Sequence, residues 1–289
     1  MLTLFTDTDT DFSPKLAKEY GFKTISMPYY IDGKEYMPYD ENGDFDAHKF
    51  YDLLRQGVLP TTSALPPQAY IEYFEPEFKK GNDIFYVHFS GAMSGTFNSM
   101  RLALEELKEK YPDRKFYEVD TKGITAGSYE IVLEIAKMFK SGKTVEEVLV
   151  WAETEVDKFA TYFYADNLKF FAKSGRVSNF AAIMGGLIGI KPIIHMNSEG
   201  KMMSIDKGRG RVQTLKKIVE YVKKLQDNIF DHEVLIAHTD NLEIAHQLEE
   251  MLQKEFDGKL NIVIRDVNPT AGSHCGPDCV GVNFHAIHR

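Results

Sequence analysis

Cysteine is nearly absent from this 289-residue chain, which holds only Cys275 and Cys279. A disulfide framework is therefore excluded, and a chain of this length can build its core without one. A structural zinc site would need two further ligands. His274, His285 and His288 lie nearby, but their spacing fits no common zinc pattern. No metal is expected, and the cysteines read as two half-buried thiols in a tight loop. Long apolar runs are also missing. No uncharged stretch approaches the ~20 residues of a membrane-spanning helix. The longest candidate, Phe180–Ile190, is short and broken by glycine. The amino-terminal residues Met1–Asp9 lack a positive segment followed by an apolar stretch and a cleavage site. No integral membrane segment is expected, and the location expected is cytoplasmic. A long basic run is absent as well. Lys+Arg total 34 against 43 Asp+Glu, a formal net charge of −9. That surface repels a phosphate backbone, so no nucleic-acid partner is expected.

What is present is the composition of a folded globular protein, 43% hydrophobic and 27% charged. The first half alternates strand-like and helix-like segments. Leu2–Thr6 reads as a buried strand, followed by an Asp/Thr-rich turn. Ser13-Pro14 is an N-cap with a first-turn proline, which predicts a helix over Pro14–Tyr20. Thr24–Ile31 is strand-like and meets a turn signal at Asp32-Gly33. Helices are predicted over Asp46–Gln56, from Pro66-Pro67 to Phe78, and over Ser94–Tyr111, Ala126–Ser141 and Val145–Phe159. Strands at Asp83–Phe89 and Lys115–Val119 complete a parallel sheet covered on both faces. The second half has a different texture. It begins with a strand at Ala160–Ala165 and a short apolar helix at Phe180–Met184. A hairpin follows, Lys191–Met196 and Lys201–Ile205 around Asn197–Gly200. Helices at Thr214–Gln226 and Leu242–Phe256 then alternate with strands at Glu233–Thr239, Ile262–Asp266 and Val280–Phe284. The expected class is α/β, with a parallel-sheet domain over residues 1–160, a mixed-sheet domain over residues 161–289, and a ligand cleft between them.

Chemistry concentrates in four segments. Phe89-Ser90-Gly91-Ala92-Met93-Ser94-Gly95-Thr96 joins a buried strand to a helix. Ligands of open parallel sheets sit beyond the carboxyl ends of the strands. Free N–H groups at a helix start attract negative charge there. The segment reads as an anion-holding turn, with Ser94 and Thr96 adding hydroxyl donors; an ordinary helix cap would look similar. It is neither a nucleophile elbow nor a phosphate-binding Walker loop. Thr61-Thr62-Ser63 precedes a proline-initiated helix and reads as ligand contact or as N-capping. Leu168–Ser178 carries Arg176, whose guanidinium can pair with an anion. The loop Ser273–Pro277 carries His274, a carboxylate partner or a base. A Ser94–His274 pair would permit nucleophilic catalysis.

In order and spacing these segments resemble the DegV family of fatty-acid-binding proteins, which includes the lipid-carrying FakB subunits of bacterial fatty acid kinase. The resemblance runs from Thr6-Asp7-Thr8 through Thr62-Ser63, Ser90–Thr96, Lys173–Ser178 and Ile190-Lys191-Pro192-Ile193 to His274–Pro277 with Gly281. It implies a two-domain protein that buries one long-chain fatty acid, such as palmitate, stearate or oleate, between its domains. The implied binding residues are Thr62, Ser63, Ser94, Gly95, Thr96, Arg176, His274 and Gly276, with the carboxylate near Thr62, Ser94 and His274. It further implies a non-catalytic carrier without a cofactor. A separate ATP-dependent kinase would phosphorylate the bound carboxylate, and an acyltransferase would draw the acyl phosphate into phospholipid synthesis. The basic turn Lys207–Arg211 is then a candidate kinase-docking patch or a solvated loop. The alternative is a hydrolase or an acyl or phosphoryl transferase using Ser94 and His274. This sequence departs from the family pattern at Ala92-Met93, Ser174 and Asp278-Cys279. The last pair is expected to put a carboxylate and a thiol beside the head group.

Overall fold

The computed structural model describes residues 1–178 and 189–289. The predicted helix Phe180–Met184 lies outside the described residues, as does the apolar run beginning at Phe180 except for its last two positions. The strands are β1 Leu2–Asp7, β2 Phe22–Ile25, β3 Tyr29–Ile31, β4 Lys34–Tyr36, β5 Thr61–Thr62, β6 Asp83–His88, β7 Phe116–Asp120, β8 Phe159–Tyr164, β9 Val177–Ser178, β10 Ile190–Met196, β11 Met202–Arg209, β12 Glu233–His238, β13 Asn261–Asp266 and β14 Val280–His285. The helices are α1 Pro14–Glu19, α2 Ala47–Arg55, α3 Pro67–Lys79, α4 Thr96–Lys110, α5 Ala126–Lys140, α6 Val145–Glu155, α7 Lys169–Ser174, α8 Gly210–Leu225, α9 Leu242–Glu255 and α10 Pro269–Cys275.

The first sheet is four-stranded and parallel, in the order β2-β1-β6-β7. Its central strand β6 alternates sides, as a pleat requires. Ile84 and Tyr86 face α3 and α4, where they pack with Phe74, Met100 and Ala103. Phe85 and Val87 face α5, meeting Ile131, Val132 and Ile135. The second sheet is seven-stranded and mixed, in the order β13-β12-β14-β8-β10-β11-β9. Its outer face is covered by α8 and α9 through Leu215, Ile218, Leu248 and Leu252. Leu235 and Ala237 on its inner face reach the same apolar cluster as α5. Helix α5 therefore lies between the two sheets, and Ala126 to Leu133 are buried without interruption. Both sheet classes agree with expectation.

Four local readings change. The predicted strand Thr24–Ile31 is two strands. Phe22–Ile25 pairs with β1. Tyr29–Ile31 turns away into a small antiparallel sheet with β4 and β5. Helix α6 stops at Glu155 because the chain must extend at Phe159 to enter β8. The basic segment Lys207–Arg211 is no turn. It is the end of β11 and the start of α8, made possible by Gly210 at φ +73°. The Ser273–Pro277 loop is mostly the end of α10. That helix is capped by Asn268, whose side chain accepts from Ala271 N, and Pro269 occupies its first position.

The hairpin β10–β11 touches the parallel-sheet half at one tight point. Ser90 Oγ donates to Gly200 O at 2.8 Å. Gly200 has φ +74°, and a Cβ there would fall 2.2 Å from Ser90 Oγ. Gly200→Ala should destabilise the protein by about 1–3 kcal/mol through strain and collision. Ser90→Ala alone should cost about 1 kcal/mol. The double variant should recover part of the Gly200→Ala loss, because Ser90→Ala removes the atom that collides. Urea unfolding of the four proteins checks this; strictly additive losses would contradict it.

Candidate functional site

The strands β1, β6 and β7 all end at one edge, and the segments leaving them form one wall of a cavity. The facing wall comes from β8, β12, β14 and α10. The atom-free space is about 1000 Å³, counting its opening to solvent. Much of the lining is apolar, including Met27, Phe89, Met93, Ile124, Phe163 and Met196. Thr62, Ser63, Ser94, Thr96, Arg176 and His274 also line it. Polar residues from four segments far apart in sequence thus share one space.

Their local roles differ. Thr62 does not cap α3, because it sits in β5, paired to Tyr29. That pairing aims its hydroxyl across the site, and Thr62 Oγ1 lies 2.9 Å from His274 Nε2. Burial, with the Arg176 charge beside it, pulls the His274 imidazole down to about 4. The ring is therefore neutral near pH 7. In the tautomer with a proton on Nε2, it donates to Thr62 Oγ1 and leaves the Thr62 proton free. Ser94 Oγ accepts from Thr96 N at 3.2 Å, so its own proton is also available. Ser63 Oγ donates to Tyr30 OH at 3.3 Å. Arg176 Nη1 donates to Ser174 O at 2.5 Å while the residue remains exposed.

Other expected ligand groups serve the fold. Thr96 is fully buried. Its hydroxyl accepts from Leu65 N at 3.1 Å and pairs with Tyr70 OH at 2.9 Å. Gly95 is the N-cap of α4, and Gly276 ends α10 at φ +74°. A Cβ on Gly276 would sit 2.2 Å from Phe170 Cδ2, which explains the glycine structurally. Ser90 is committed to Gly200, and Gly91 N donates to Asp120 Oδ2 at 3.1 Å. Of the two serines in Ser90–Thr96, Ser94 is the one whose hydroxyl proton is uncommitted.

At Asp278-Cys279 the carboxylate departs from expectation, while the thiol lies on the cavity wall. Asp278 Oδ1 accepts from Arg55 Nη2 at 3.2 Å and from Asn241 Nδ2 at 2.7 Å. Its charge belongs to an ion cluster at the surface. Asp52, Asp240 and His48 join that cluster, with Arg55 supplying the cation. Cys275 and Cys279 are free thiols on the cavity wall. Burial pushes Cys275 up to about 12 and Cys279 well above its usual range, so both stay protonated.

Residues 1–286 match the profile of the DegV family. The chain belongs to the DegV family. A DegV domain-containing protein of Clostridium perfringens is 34% identical over 281 residues, spanning 97% of this chain and 96% of its own. Among solved structures, a DegV family protein of Thermus thermophilus described as fatty acid binding superposes with a TM-score of 0.83 at 21% identity, covering 99% of each chain. A stearic-acid-binding protein of Eubacterium ventriosum gives 0.85 at 19% identity, covering 99% of this chain and 98% of its own. These likenesses establish the shared α/β fold of the DegV protein. Among its described residues, no helix is long and apolar enough to cross a membrane.

Sequence reasoning missed Asp9. It follows β1 in a 3₁₀ turn, is 6% exposed and contributes to the cavity wall. The available signal was the Asp/Thr-rich turn after a buried strand, but nothing in that pattern tells which acid faces inward. Burial, then repulsion from Asp7 and Asp11, raises the Asp9 carboxyl well above its ordinary 3.8. The folded protein thus holds a proton that the unfolded chain releases above that value. Stability from this group is complete at lower pH and is lost as pH rises toward the folded pKa. Asp9→Asn cannot ionise. It should match wild type at pH 4 and exceed it by roughly 2 kcal/mol at pH 8 in urea unfolding. Equal stability at both pH values would contradict the assignment.

Proposed function

We propose that this DegV protein is a non-catalytic fatty-acid carrier. On this reading one long-chain fatty acid lies in the cavity between the lobes 1–160 and 161–289. Its carboxylate is held by the Thr62 and Ser94 hydroxyls, with His274 orienting Thr62 and Arg176 offering the balancing charge. The observation that carries the reading is the cavity itself, apolar along much of its wall and furnished with the Thr62 and Ser94 hydroxyls beside a neutral imidazole. Each methylene withdrawn from water contributes about 0.8 kcal/mol. The carboxylate must then be hydrogen-bonded, or its burial costs several kcal/mol. The fatty acids bound by the Thermus and Eubacterium proteins support the same ligand class.

The carrier reading extends to a partner. A separate ATP-dependent kinase phosphorylates the presented carboxylate, and an acyltransferase of phospholipid synthesis takes the acyl phosphate. The cationic stretch Lys207–Arg211 is a docking position for the kinase in a cytoplasmic protein. The geometry gives little support to the competing hydrolase or transferase. His274 is bonded to Thr62 rather than to Ser94, and an imidazole pulled down to about 4 is a weak base.

Native mass spectrometry of the purified protein should show an added mass matching a long-chain fatty acid. Ser94→Ala should weaken its retention about tenfold, and should lower acyl phosphate formation with a kinase partner. A protein that neither carries nor takes up fatty acid would overturn the carrier. Turnover of esters or acyl phosphates by the protein alone would favour the enzyme.

A further inference from the structure

Three threonine hydroxyls on the cavity wall away from the Thr62–His274 pair are already hydrogen-bonded. Thr161 Oγ1 donates to Asn283 Oδ1 at 2.7 Å. Thr270 Oγ1 donates to Met27 O at 2.6 Å. Thr239 Oγ1 accepts from Cys279 N at 2.8 Å. Asp9 and Thr125 differ from these threonines and are adjacent, since Thr125 N donates to Asp9 O at 2.8 Å. Asp9 Oδ1 is fully buried and has no hydrogen-bond partner. Among the described residues, neither the Asp9 carboxyl nor the Thr125 hydroxyl makes a side-chain hydrogen bond. Both residues line the cavity. Thr125 also has φ 52° and ψ −125°, a conformation a β-branched residue adopts only when its surroundings impose it.

We propose that Asp9 and Thr125 form an oxygen-recognising subsite, so that the preferred ligand is a long-chain fatty acid bearing a hydroxyl group on its chain. The inference rests on the carrier reading and refines its ligand class. A plain hydrocarbon chain laid against Asp9 would leave a desolvated carboxyl unpaired, which is the costly arrangement for a buried polar group. A chain hydroxyl can accept from a protonated Asp9 carboxyl and donate to Thr125 Oγ1, so both groups are satisfied. Burial favours the protonated form of that carboxyl in the folded state. The neighbouring Asp7 does not compete for the site, because its Oδ2 is held by Tyr86 OH at 2.9 Å and Phe89 N at 3.2 Å.

The test is competition between stearic acid and a positional series of hydroxystearic acids for the delipidated full-length protein, read by native mass spectrometry. At least one positional isomer should outcompete stearate by about tenfold. Asp9→Leu, which keeps the branching of the side chain and is apolar, should abolish that preference while still binding stearate. Asp9→Asn should keep much of it, and Thr125→Val should reduce it. Stearate outcompeting every hydroxystearate in wild type, or an unchanged ratio in Asp9→Leu, overturns the subsite and leaves the carrier standing. Binding of neither class overturns the carrier reading itself.

Discussion

One clamp seats the helix that carries His274. Asn268 donates both its backbone N–H and its Nδ2–H to Asp11 Oδ1, at 3.0 and 2.7 Å. Around that point Tyr51 OH donates to Val267 O at 2.8 Å, and Thr270 Oγ1 donates to Met27 O. Every donor or acceptor on one side belongs to the parallel-sheet half, and its partner to α10 or the two residues leading into it. This clamp holds α10 where His274 lies beside Thr62. The clamp's own chemistry is tightly set. Burial raises the Asp11 carboxyl to about 7, while Asn268 bonding and the Arg265 charge oppose that rise.

The site follows from how the two sheets share α5. That helix is apolar on both sides because it covers the parallel sheet with one face and the mixed sheet with the other. Its amino end cannot be covered in the same way. There the connections after β1, β6 and β7 turn. The space left is lined by whatever those turns present, which is Asp9, Ser94 and Thr125 together with apolar side chains. A ligand cleft at the carboxyl edge of a parallel sheet is thus a by-product of packing. The polar decoration decides what it holds.

Much of the architecture was legible because strand–helix alternation and end signals are local. Ser13-Pro14 does cap α1, with Ser13 Oγ accepting from Leu16 N. The hairpin around Asn197–Gly200 was readable from its turn residues. The residues that changed role needed tertiary information. Thr62 looked like an N-cap because a proline helix follows it, but strand pairing with Tyr29 re-aimed its side chain. Helix α10 hid in Thr-Ala-Gly-Ser, which has no apolar periodicity, although Asn268-Pro269 marked its start. Thr96 looked like a ligand donor until Tyr70, from a different helix, occupied its hydroxyl. Asp9 is the clearest case, because its importance comes only from a missing partner, which no sequence pattern records.

The central claim is that a fatty acid lies in this cavity with its carboxylate at Thr62 and Ser94. A crystal structure of the protein loaded with an ω-bromo long-chain fatty acid tests it most directly, since anomalous scattering locates the far end of the chain independently. The account predicts the carboxylate within hydrogen-bonding distance of the Thr62 and Ser94 hydroxyls and the bromine enclosed in the cavity. Bromine beside Thr62, with the carboxylate elsewhere, or a chain lying outside the cavity, would contradict it.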